Sequence, residues 1–198
     1  MKLLKPLILA SQSPRRQEIL TLAGFQFSVH PAEDEFAPQE LPPYDRVMAL
    51  ARSKAEQIAS SHPNSYILGS DTMVVLDGVA LGKPRNEEDA LAMLMSLENR
   101  SHQVMTGVWL VETDAEGNAV KDSGFTDLAT VDFWGFSRDE AEEYIATGEP
   151  LDKAGAYGIQ GKGMRFVRAI NGDFYTIMGL PGSRLIRFIS EFIAETED

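Results

Sequence analysis

The chain of 198 residues contains no cysteine. That excludes disulfides, thiol nucleophiles and Cys-ligated metal centres. Histidine is scarce as well: only His30, His62 and His102 occur, and no two form a His-x-x-x-His pair. This argues against a zinc hydrolase. Positive charge is also short, with 18 Lys and Arg against 30 Asp and Glu, a formal net charge of −12. A nucleic-acid-binding surface needs the opposite balance, so nucleic acid is not an expected partner. A small anionic substrate stays open if basic residues are focused in one cleft or a divalent cation assists. No apolar run approaches a membrane span, so no membrane partner is expected. The start, Met1-Lys2-Leu3-Leu4-Lys5-Pro6, resembles that of a signal peptide, but its apolar stretch is broken by Lys5 and ends at Ser11, which is too short. The expected location is the cytoplasm. A Gly-x-x-x-x-Gly-Lys phosphate loop, internal repeats and low-complexity linkers are all missing. The 43% of hydrophobic residues suffices for one substantial core, in one domain or in two lobes sharing a sheet.

What is present begins with an apolar run, Leu7–Ala10, followed by Ser11-Gln12-Ser13-Pro14-Arg15-Arg16 and a helical segment that Gly24 ends. Ser13 suits the helix cap and Pro14 its first position. A helix N-terminus attracts anions, and two hydroxyls with two guanidiniums around it suit a phosphate. The same segment also reads as a capped helix with two solvated arginines. Further along, a helix is expected over about Tyr44–Ser60, and two strand runs at Tyr66–Ser70 and Met73–Leu76. A hairpin turn is expected at Asp77-Gly78 and a capped helix after Asn86. Paired strands follow near 104–112 and 126–133, then a capping-box helix from Ser137 to Gly148. Short strands are expected at 157–160, 165–170 and 174–178, the last two joined by Asn171-Gly172, before an amphipathic final helix. The alternation of β and α segments indicates a mixed, twisted sheet flanked by helices.

Three places invite chemistry. Lys54 falls in the middle of the apolar stripe Val47, Leu50, Ala51, Ala55 and Ile58. There it snorkels, pairs with a carboxylate or points into a ligand cleft, and the helix pattern does not separate these. Asp71, in Ser70-Asp71-Thr72 between two apolar runs, either caps a turn or faces a cleft from a strand end. In a cleft it could hold a cation or accept a proton from water. Gly158-Ile159-Gln160-Gly161 sets an amide among glycines, which suits a base edge. Lys83 and Lys153, taken alone, read as surface residues, and His102 reads as structural.

Together the blocks LILASQSPRRQEIL, GSDTMVVLDGVALGKP and EPLDKAGAYGIQG resemble the Maf-like nucleoside triphosphate pyrophosphatases, in the family's order and over nearly the whole chain. The resemblance implies a single domain over residues 1–198, with two lobes around a nucleotide-binding cleft as in the Maf and ITPase-like folds. It implies cleavage of a nucleoside triphosphate to monophosphate and pyrophosphate with a divalent cation, Mg²⁺ or Mn²⁺, and a homodimer. By position, Asp71 matches the catalytic carboxylate, while Ser11, Ser13, Arg16, Lys54 and Lys83 match phosphate or transition-state contacts. Glu35 joins Asp71 as a metal ligand, and Lys153 supports the cleft. Arg15, Thr72 and Gln160 match positions that separate substrate classes, in the combination of the subgroup acting on dTTP and UTP, with a housecleaning role towards modified pyrimidine nucleotides. The alternatives are the 7-methyl-GTP subgroup, which carries Asp-Gln where this chain has Asp71-Thr72, and a non-catalytic nucleotide-binding regulator of septum formation. Gly182 departs from the family, which more often has a large apolar residue after the proline.

Overall fold

β1 (Leu7–Leu9) is buried along its length, because β2 (Phe27–Val29) and β3 (Tyr66–Leu76) both pair with it in parallel. The computed structural model describes residues 3–34 and 36–194. α1 (Pro14–Leu22) links β1 to β2, and α2 (Pro43–Ala59) links β2 to β3. β4 (Val79–Leu81) returns antiparallel on β3, and β5 (Ser101–Thr113) and β6 (Ala119–Phe133) extend the sheet. β7 (Val167–Asn171) closes it antiparallel to β6. The sheet is therefore mixed and seven-stranded, in the order β2-β1-β3-β5-β6-β7 with β4 beside β3. The remaining helices are α3 (Glu87–Leu97), α4 (Arg138–Ile145), α5 (Phe174–Met178) and α6 (Gly182–Ala194).

The chain divides into two compact units. One holds the residues up to Asp71, Thr106–Asp127 and the segment from Gly179; the other holds Thr72–Met105 and Leu128–Met178. In the first, α2 lies directly on strand backbone. A Cβ on Gly69 would collide with the Ala51 carbonyl, and one on Gly107 with that of Val47. Glycine at these two positions is what lets the helix come so close. Ile8, Ala55, Ile58, Ile67 and Val111 fill the space around this contact. α6 buries Leu185, Ile189 and Phe192, spaced as one helical face.

The second unit is built on local signals that the sequence carries openly. Asp77 and Gly78 both take positive φ, 51° and 81°, as a two-residue hairpin requires. Asn86 caps α3 by accepting the Asp89 N–H at 2.8 Å, and Ser137 with Glu140 forms the capping box of α4. Leu94, Leu97, Phe133, Tyr144, Tyr157 and Phe166 pack its core.

Four expectations need correction. β3 is one continuous strand, so Asp71 stands inside it and not at a strand end. Residues 157–160 form no strand: Tyr157 is drawn into the core, and the glycines around it permit short 3-10 turns at Ala154–Ala156 and Lys162–Phe166. Phe174–Met178 is helical despite its β-rich composition, because Asp173 Oδ1 accepts the Tyr175 N–H at 2.9 Å and starts a turn. Asn171-Gly172 therefore joins a strand to a helix. Lastly, Ser13 stands at the N-cap of α1 without a side-chain capping bond.

Candidate active-site residues

After β1 the chain leaves the sheet through Ser11-Gln12-Ser13 into α1, whose first turn has Pro14 and no acidic residue. Ser11 Oγ accepts Arg16 Nη1–H at 2.9 Å and the Ser13 N–H at 3.3 Å. Arg16 is buried and donates Nε–H to the Gly179 carbonyl at 2.9 Å; Ser70 donates its hydroxyl to the same carbonyl at 3.1 Å. Ser11, Arg16, Ser70 and Gly179 are thus one constellation. Gly179 has φ 113°, a conformation other residues rarely adopt, so its carbonyl direction depends on glycine. Ser13 and Arg15 are half-buried beside it in sequence.

β3 is buried at every position except Asp71 and Thr72. Strand alternation sends Asp71 to the side opposite Ser70, towards α2, as Gly69 is. Ala51 touches Gly69, and one helical turn on, Lys54 Nζ reaches Asp71 Oδ1 at 2.6 Å. Both side chains are about one-seventh exposed, 14% and 15%. Of the three options for Lys54, pairing with a carboxylate is realised, and the carboxylate is the proposed catalytic one. The pair is charge-assisted and partly screened from water.

The second unit carries Thr72, Lys83, Lys153 and Gln160. Lys83 is exposed, but its segment is tied to that of Lys153 by the Gly155 N–H donating to the Gly82 carbonyl at 3.0 Å. Lys153 is half-buried and pairs with Asp152. Gln160 is exposed on the loop between Gly158 and Gly163. His102 is structural, as expected. It is 2% exposed, its Nε2 bonds the Tyr157 hydroxyl at 2.8 Å, and its ring meets the Phe133 and Tyr157 rings edge-on. Burial pushes its pKa down to about 4, and burial likewise raises the Tyr144 and Tyr157 phenols.

Gly179 and Glu149 carry weight that the sequence reading did not assign. Glu149 follows the helix-ending Gly148 and looks like a surface charge; its one signal is the run of glycines in the block that follows it. Glu35 lies outside the described residues. Among the described residues, no group of three or more His, Asp or Glu is gathered to hold a metal.

Residues 6–192 match the family model described as Maf-like protein. The chain is 44% identical to the dTTP/UTP pyrophosphatase of Bacillus velezensis, over 95% of this chain and 97% of that protein. It is 45% identical to the dTTP/UTP pyrophosphatase of Bacillus cytotoxicus, over 96% of each. In fold it is similar to the solved Ham1 protein of Staphylococcus aureus, with a TM-score of 0.50 over 94% of this chain and 98% of that one, at 15% identity.

Proposed function

The chain belongs to the Maf-like protein family, and from that premise we propose that it hydrolyses dTTP and UTP to the monophosphate and pyrophosphate. The observation that carries this reading is the match along nearly the whole chain to relatives named for that activity. The Lys54–Asp71 pair supplies groups suited to the chemistry.

In the proposed reaction a water oxygen attacks the α-phosphorus, and the bond to the bridging oxygen breaks so that pyrophosphate leaves. The Asp71 carboxylate takes the proton of the attacking water. Lys54 holds that carboxylate in place and offsets developing negative charge. Ser11, Ser13 and Arg16 are proposed for the phosphates, with Arg16 already anchored by Ser11 and Gly179; Lys83 and Lys153 are proposed for the same charge. Arg15, Thr72 and Gln160 are proposed as determinants of base choice. Uracil and thymine offer two carbonyl acceptors and one N–H donor, and an amide such as Gln160 can both donate and accept.

The Asp71 carboxylate, 15% exposed and held by a flexible lysine, suits a divalent cation. Mg²⁺ is commonly held by one or two carboxylates together with substrate phosphates, and Asp71, with Glu35, would serve as that protein share. When bound, the cation neutralises phosphate charge. We extend the proposal to a cytoplasmic homodimer that also clears modified pyrimidine triphosphates. No helix among the described residues is long and apolar enough to cross a membrane.

Pyrophosphate release from dTTP, UTP, ATP and 7-methyl-GTP, with Mg²⁺ and with Mn²⁺, tests the reading. The expected order in kcat/KM places dTTP and UTP first. A preference for 7-methyl-GTP would overturn the base assignment, and binding without pyrophosphate release would overturn the enzyme reading.

A further inference from the structure

Glu149 is a carboxylate that accepts from a core tyrosine and from two backbone N–H groups of one loop. Its Oε1 accepts the Tyr144 hydroxyl at 2.9 Å and the Gly163 N–H at 3.2 Å, and its Oε2 accepts the Lys162 N–H at 2.9 Å. The Tyr144 oxygen in turn accepts the Gly158 N–H at 3.0 Å. One carboxylate and one phenol therefore grip the loop at 158, 162 and 163. The glycines in it are there for space: a Cβ on Gly161 would collide with the Glu149 carboxylate, and one on Gly163 would lie 2.8 Å from the Tyr144 hydroxyl. Burial works to raise the Glu149 pKa, but the Lys162 N–H, the Tyr144 hydroxyl, the Gly163 N–H and the nearby Lys153 charge together hold it below the usual range. Gln160 is exposed and lies in the chain between these anchors.

We infer that Glu149 is a positioning residue for base choice: by fixing the Gly158–Gly163 loop it sets where the Gln160 amide stands. This rests on the reading of Gln160 proposed above. A hydrogen-bonding site discriminates strongly only when its polar groups are already in place, because a loop that must be ordered on binding uses up binding energy. Charge-assisted bonds to backbone N–H groups hold a loop without depending on its side chains.

The test measures kcat and KM for UTP and ATP on the full chain, comparing wild type with Glu149→Gln, Tyr144→Phe, Gln160→Ala and the double variant Glu149→Gln/Gln160→Ala. Glutamine keeps the shape of Glu149 but turns an amide NH₂ towards a donor. The expected result is a fall of about tenfold or more in the UTP-over-ATP ratio for Glu149→Gln, lying in the KM for UTP with kcat little changed. A smaller fall is expected for Tyr144→Phe, and no further fall when Glu149→Gln is added to Gln160→Ala. A general loss of stability would lower turnover of both nucleotides alike. If Gln160→Ala lowers the ratio and Glu149→Gln does not, or if the two effects add, the positioning role is overturned. If Gln160→Ala keeps the wild-type ratio, the base-reading role of Gln160 falls, and the role of Glu149 with it. Should Glu149→Gln fail to fold, Tyr144→Phe decides: it removes a single hydroxyl from the grip and leaves the carboxylate its two backbone partners, and an unchanged ratio there overturns the proposal.

Discussion

Asp71 in one unit and His102 in the other are both withdrawn from water, yet their partners differ in kind. Asp71 is 15% exposed and faces a cation at the end of a flexible lysine. His102 is almost fully buried and faces the neutral phenol of Tyr157 and the ring of Phe133. Glu149 sides with His102, since neutral donors of a loop and a core tyrosine take its oxygens. A carboxylate held by one lysine can exchange that partner for a water proton or a metal ion. A group held by backbone N–H groups or packed rings cannot change partners without moving the fold. Readiness for chemistry thus follows the mobility and charge of the partner more than the depth of burial.

The contrast is broken most severely at Asp71. Asp71→Asn is nearly isosteric but cannot accept the proton of water, so kcat is expected to fall by about 10²–10⁴-fold while Tm stays close to wild type. Steady-state pyrophosphate release beside thermal melting checks both halves. A folded variant with the wild-type rate would remove Asp71 from the chemistry.

His102 should show the reverse signature, an effect on stability. The unfolded chain takes up a proton near the ordinary histidine value of 6.5, whereas the buried imidazole resists until about 4. The unfolded state therefore binds more protons in that window, and stability declines as pH falls through it. The contribution is intact above about pH 6.5 and drops by about 1.5 kcal/mol between pH 6.5 and 5. His102→Gln should lack this slope. Urea unfolding of both proteins at the two pH values tests it, and parallel curves would show that His102 is not the group responsible.

The smallest effect sharpens the comparison from the partner's side. Lys54→Met is expected to lower turnover about tenfold or more, because Asp71 remains but loses the charge that holds it. Tm should fall too, since the carboxylate keeps its half-buried place without this cation. Adding Asp71→Asn should recover Tm and leave the rate low. A Lys54→Met protein with wild-type turnover would remove Lys54 from the chemistry, and a raised Tm would show that the pair does not stabilise the fold.

Much of this was legible in the sequence, because it depends on neighbours along the chain. Pro14 opening α1, the Asp77-Gly78 hairpin, the caps at Asn86 and Ser137 and the apolar face of α6 are set by spacing and side-chain type within a few positions. Lys54 was visible as a charge out of place in an apolar stripe. Its partner was not, because the contact spans 17 residues and exists only where Gly69 lets α2 rest on β3. Arg16 was visible as a candidate anion ligand. Its anchor was not, because the Gly179 carbonyl lies 163 residues away. The segments at 157–160 and 174–178 were misread because their composition favours strands, whereas core packing of Tyr157 and the turn at Asp173 decide otherwise. Glu149 was hidden most completely. Its partners are mainly backbone N–H groups, which nearly every residue carries, and only the tertiary structure aims three of them, directly or through Tyr144, at one carboxylate.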